Sequence, residues 1–94
     1  MTIDADAVYR RASDVRFQRY EEQAIVLCQQ RAEPIGLNGV GARVIELCDG
    51  LTSFGVVLDQ LEDEYDVDRP TLEVDTFEFV EEMVELGVLV RGES

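Results

Sequence analysis

At Asn38 the hydrophobic pattern of this chain changes its period from two residues to about 3.6, which divides it into a strand-forming part and a helix-forming part. Before the switch, Val15, Phe17 and Arg19 alternate with Arg16, Gln18 and Tyr20, and residues 24–28 are apolar and partly β-branched. Both segments are expected to be strands. Glu21, Glu22 and Gln23 lie between them without the Gly or Asn that a tight two-residue turn favours, so a slightly longer loop is expected. After Gln29, Gln30 and Arg31, residues 33–37 return as a third strand. Pro34 has no N–H to give to a ladder and points to an edge position.

Beyond the switch, Asn38 can cap a helix whose apolar residues Val40, Val44, Ile45, Leu47 and Cys48 fall on one side before Asp49 and Gly50 end it. Thr52 is expected to cap a second helix, with Phe54, Val57, Leu58, Leu61 and Tyr65 recurring every three or four residues and acidic residues opposite. Gly55 lowers helix propensity there, for which a close approach of neighbouring backbone is one reason. Pro70 fits the first turn of a third helix and Gly87 its stop, after which residues 88–90 read as a short extended tail. The expected class is α+β: a three-stranded antiparallel sheet followed by three helices, with a winged helix-turn-helix outline. A length of 94 residues fits one domain, ordered over about 8–91, with frayed ends at 1–7 and 92–94.

Charge narrows the partners. Against 21 Asp and Glu stand 8 Lys and Arg, a net of −13, and the charged residues from Glu62 to Glu85 are all acidic except Arg69. Such a surface repels phosphate backbones and anionic lipid, so no nucleic acid or membrane partner is expected. No stretch approaches the ~20 apolar residues of a membrane span, and the N-terminus lacks signal-peptide features, so a cytoplasmic location is expected. Cys28 and Cys48 form no CxxC pair and the chain has no histidine, so no metal site is expected and both thiols read as small buried hydrophobes.

The same absences remove most routes to catalysis. Gly36, Gly39 and Gly41 lack the βαβ setting of a phosphate loop, and Asp66 and Asp68 lack the twelve-residue pattern of a calcium loop. No enzymatic activity and no cofactor are expected. The third helix is the informative element. At ~100° per residue its apolar positions cover about half of its circumference, wider than one packing seam requires. Phe77, Val80 and Val84 form one stripe, and Leu72, Phe79, Met83 and Leu86 form a second beside it. Either both stripes are core, or one packs inward while Phe79 and Met83 offer an adaptable apolar surface to a partner. The pattern alone leaves the two open.

Leu37 and Asn38 lead into Gly41, Ala42 and Arg43, then Ile45, Glu46 and Leu47; Asp49, Gly50, Thr52, Leu61, Tyr65, Val67 and Asp68 follow. With Leu72, Glu73, Asp75 and the closing run Leu86, Gly87, Val88 and Leu89, this order and spacing resembles the PqqD-like family of precursor-peptide recognition elements. The resemblance covers about residues 15–90. It implies a sheet-and-helix relative of the winged helix in which a leader peptide adds as an extra strand on the open edge of the third strand and lies against the third helix.

On that resemblance the expected function is a non-catalytic chaperone that binds the leader of a ribosomally made precursor and presents it to a modifying enzyme of the radical-SAM type. The peptide-binding residues carried over are Glu33, Ile35, Gly36, Leu37, Leu72, Thr76, Phe79 and Met83. Pro34 removes a donor from the proposed edge and Gly36 adds slack, departures from the pattern that make the expected strand addition short or shifted toward Leu37. Gly55, Val56 and Val57 depart from the pattern in the second helix. Two alternatives remain: a winged-helix transcription regulator, which needs a basic recognition helix, and a structural domain that forms a homodimer through the sheet edge. The third helix has no Lys or Arg between Pro70 and Val90.

Overall fold

The computed structural model describes residues 3–29 and 33–92. In chain order these form β1 (Val8–Arg11), β2 (Val15–Tyr20), β3 (Gln23–Cys28), β4 (Ile35–Leu37), α1 (Gly39–Leu47), β5 (Asp49–Ser53), α2 (Phe54–Glu64), α3 (Arg69–Glu85) and β6 (Leu89–Gly92). The α+β order holds, with three antiparallel strands before the helices in the order β2-β3-β4. The alternation sorts the faces of this sheet as the pleat demands. Ala24, Val26 and Cys28 point into the core, while Arg16, Gln18 and Tyr20 on β2 face outward.

A second antiparallel sheet, β5-β1-β6, is added to the expected one. Neither β1 nor β5 is foreseen from the sequence. Residues 8–11 carry two arginines and no clear alternation, and 49–53 is rich in turn-forming Asp, Gly, Thr and Ser. β1 is fixed instead by long-range pairing, Tyr9 with Arg91 and Arg10 with Val90 on one side and Val8 with Ser53 on the other. The expected fraying of 1–7 is corrected for residues 3–7. Ala7 is buried, and its carbonyl accepts from Phe54 N at 2.7 Å while the Ala5 carbonyl accepts from Gly55 N at 2.9 Å. A Cβ at Gly55 would lie 3.3 Å from Ala5 O, so the close backbone approach is the reason for that glycine. Gly92 likewise pairs with Val8. The expected loop residues Gln30 and Arg31, with Ala32, lie outside the described residues, as do the terminal residues 1, 2, 93 and 94.

Local signals set the helix ends with three adjustments. Asn38 Oδ1 accepts from Gly41 N at 2.8 Å and caps α1, but the helix closes at Cys48 before Asp49 and Gly50 enter β5. Asp49 Oδ1 there accepts from Leu51 N and Thr52 N at 2.8 and 2.9 Å, bonds that hold its carboxyl below the usual range. Ser53, one residue beyond Thr52, caps α2. Asp68 caps α3, which therefore begins at Arg69 with Pro70 in its first turn. Gly87 follows with φ +81, the left-handed conformation of a helix stop, and leads into β6 as expected.

The β2–β3 connection is tighter than expected. Tyr20 pairs with Gln23, so only Glu21 and Glu22 make the turn, and Glu21 takes φ +54, a conformation that costs a non-glycine residue about 1 kcal/mol. Six register pairs along the hairpin outweigh it, and Arg19 Nε donates to Glu21 O at 3.0 Å. The turn rests on the start of α1: a Cβ at Gly39 would come within 2.8 Å of Glu22 O. Gly39→Ala is therefore expected to destabilise the fold by about 1–3 kcal/mol although alanine is the better helix former, because backbone must shift. Urea denaturation checks this.

Two arginines tie the helices together. Arg43 on α1 donates to both carboxylate oxygens of Glu64 on α2 at 2.8 Å, and Arg69 on α3 bonds Asp59 and Glu62 of α2 at 2.9 and 3.2 Å. The core beneath them joins Phe54, Val57, Leu58 and Leu61 of α2 to Val44 and Ile45 of α1, Val80 of α3, and Val88 and Leu89. Cys28 and Cys48 are both buried, and burial pushes the Cys48 thiol up to about 12.

Candidate functional site: a groove beside an open strand

Among the described residues β4 pairs with β3 alone, Leu37 with Ala24, Gly36 with Ile25 and Ile35 with Val26, so its other side is an open edge. The strand is shorter than the expected 33–37. Glu33 and Pro34 precede it, and Pro34 consequently removes no donor from residues 35–37.

Alongside this edge runs a mostly apolar groove of about 420 Å³. β4 forms one wall through Gly36 and Leu37, followed by Asn38. The floor is the first turns of α1, from Val40, Gly41 and Val44. The opposite wall is α3, where Thr71, Leu72, Asp75, Thr76 and Phe79 follow one another at the three- and four-residue spacing of a single helix face. Val67, in the α2–α3 connection, closes one end. Leu37, Leu72 and Thr76 are nearly buried, at 8%, 6% and 4% exposure, whereas Val40 and Val67 retain 39% and 44%. Apolar surface left open in a concavity is the setting in which peptide and ligand sites are commonly built.

Gly41 shapes the floor. A Cβ there would stand 3.3 Å from two ring atoms of Phe79 and from Asn38 Oδ1, so the ring lies directly on the backbone of α1. Asn38, Thr71 and Asp75 give the groove a polar rim.

The structure thus brings together Gly36, Leu37, Leu72, Thr76 and Phe79 of the sequence-derived set. Glu33 is exposed and lies before the strand, and Ile35 packs against the core beside the groove. Met83, which the resemblance carries over as a peptide contact, is core at 3% exposure, because the buried stripe of α3 is Leu72, Thr76, Val80 and Met83. The sequence reading missed the floor. In sequence Val40 falls with the apolar side of α1, and Val67 enters only among the residues that carry the family resemblance. An apolar residue between Asp66 and Asp68 was the available signal for the latter.

Away from the groove, α3 shows Glu78, Glu81, Glu82 and Glu85 to solvent, and among the described residues none of these has a basic side chain within 4.0 Å. No group of three or more His, Cys, Asp or Glu among the described residues is arranged to hold a metal ion. No helix of the described residues is long and apolar enough to cross a membrane.

Comparison with known proteins bears directly on this geometry. The family described as coenzyme PQQ synthesis protein D (PqqD) matches residues 23–89, from β3 to the start of β6. Two proteins named PqqA binding protein, from Rhodopseudomonas palustris strains BisB5 and HaA2, are 24% and 23% identical over 82 residues, covering 87% of this chain and 78% of each relative. Among solved structures, TbiB1 in complex with the TbiA(beta) leader peptide is similar with a TM-score of 0.79 and 26% identity, over 90% of this chain and 98% of that one. The heterocyclase TruD shares the fold at a TM-score of 0.64 and 14% identity, over 92% of this chain and 12% of that much longer one.

Proposed function

The chain belongs to the PqqD family, and from that premise we propose that it is a leader-peptide recognition subunit working through the groove between β4 and α3. An extended leader adds to the open edge of β4, exchanging main-chain hydrogen bonds with it, and sends alternate side chains into the groove. The backbone bonds supply affinity that is indifferent to sequence. Selectivity comes from the apolar floor and the Phe79 wall, with Asp75 and Thr71 favouring a polar or basic residue at the rim. One observation carries this reading: an open strand edge runs beside a helix that keeps exposed apolar surface, in a chain similar to a protein solved with a leader peptide bound.

The chain's chemistry is then positional. Holding the leader while docked on a modifying enzyme makes the meeting of core peptide and active site nearly intramolecular. The enzyme we assign is of the radical-SAM type, on the family resemblance alone. The solvent-facing Glu78, Glu81, Glu82 and Glu85 suit a basic docking surface on it, and binding between the two proteins is expected to weaken as salt is raised. We assign the pair to the cytoplasm, where the buried thiols stay reduced.

The test is an NMR titration of labelled protein with the leader of the precursor encoded beside this chain's gene. Saturable shifts are expected at Ile35, Gly36 and Leu37, at Val40 to Val44, and at Leu72 to Phe79. Absence of saturable shifts, together with a mass that rises with concentration in sedimentation, would replace leader binding by self-association through the same edge.

A further inference from the structure

A strand has two faces, and the groove uses only one. On β4 the pairing with Val26 and Ala24 turns Ile35 and Leu37 inward, so position 36 faces outward beside Ile25. That position is a glycine without a folding reason. A Cβ there would meet no atom within 4 Å, and its φ is not in the left-handed region. Glycine weakens a strand, and where the fold does not require it, it marks a place where another molecule approaches the backbone closely.

Outside Gly36 lies a shallow, mostly apolar depression formed with Tyr20, Gln23 and Ile25, and it shares Gly36, Leu37 and Asn38 with the groove as a common wall. Tyr20 is 52% exposed, and its hydroxyl donates to Gln18 Oε1 at 2.8 Å, which holds the ring over the outer face of β2. The two concavities therefore flank the same open edge from opposite sides of the sheet.

A peptide strand added to that edge obeys the same alternation. Its residues opposite Ile35 and Leu37 enter the groove, and the residue opposite Gly36 falls on the outer face. We infer that this outer face is a second subsite, taking one apolar, ring-bearing side chain of the bound peptide, laid across Gly36 against Ile25 and Tyr20. An aromatic ring covering a cross-strand glycine is an established way for a sheet to bury bare backbone, and the Tyr20 ring adds an edge or offset partner. The inference rests on leader binding at the groove and extends it, since it makes the chain read consecutive residues of the leader on both sides of the sheet.

The experiment is fluorescence polarisation with the leader of the neighbouring precursor, each residue replaced in turn by alanine, against the intact chain and its Phe79→Ala, Tyr20→Ala and Gly36→Val variants. Positions sensitive to alanine are expected in two sets offset by one residue. The effect of the first set shrinks in Phe79→Ala. At one position of the second set, alanine weakens binding about fivefold in the intact chain, and this difference falls below twofold in Tyr20→Ala and Gly36→Val. Gly36→Val has open space for its side chain and is expected to melt at or above the temperature of the unaltered chain. If the intervening positions are all insensitive, or their effect persists undiminished in both outer-face variants, the second subsite is overturned while the groove stands. If the intact chain gives no saturable binding, leader recognition itself is overturned.

Discussion

Phe54→Ala is expected to lower the melting temperature by roughly 15–30 °C, the largest effect of any single truncation in this fold. Phe54 is 1% exposed and opens α2 immediately after its cap. Its ring meets Tyr9 of β1 at 6.1 Å and Phe77 of α3 at 6.2 Å, both edge to face, while its N–H donates to the Ala7 carbonyl at 2.7 Å. One side chain thus joins the second sheet, α2 and α3. Removing it costs about 3–5 kcal/mol from a total that for a domain of this length is only about 5–14 kcal/mol. Circular dichroism during heating measures it. A shift under about 5 °C would mean that the aromatic cluster does not hold the second sheet to the helices.

That cluster also shows where sequence reading reached its limit. The apolar spacing of Phe54, Val57, Leu58 and Leu61, the cap at Asn38 and the stop at Gly87 are local signals, and each sits where its neighbours alone place it. Tyr9 has no such signal. It is buried because β1 lies between two strands that arrive about 40 and 80 residues later, and nothing within residues 8–11 encodes partners so distant. Glu21 shows the converse, a local preference overridden by pairing: the register of the hairpin forces a glutamate into φ +54 where its own tendency favours a longer loop. In the site, the excess of apolar surface on α3 was legible, but its rotation was not. Which stripe turns inward is decided by packing against α2 and β6, and that packing buries Met83 and leaves Phe79 on the groove. Val40 and Val67 line the same groove from other elements, a convergence that periodicity within one helix cannot reveal.

The groove's floor offers a test in which binding and folding respond in opposite directions. Val40→Asp is expected to weaken leader binding more than ~100-fold while leaving the chain as stable as before, or more so by a few tenths of a kcal/mol. Val40 is 39% exposed and lies in the first turn of α1, which contains no acidic residue. A carboxylate there faces the positive end of the helix dipole, so the free protein tolerates it. A peptide seated in the groove would have to bury that charge with no basic side chain among the described groove residues to receive it, beside Asp75 on the opposite wall. Desolvation and like-charge repulsion then both oppose binding. Val40→Thr keeps nearly the same shape and is expected to cost less than about tenfold. Titration calorimetry with the leader and a thermal melt of each variant separate the two effects. If Val40→Asp melts as expected and still binds within threefold of the unaltered chain, the leader does not lie over α1, and recognition would have to depend on the β4 edge and the outer face of the sheet.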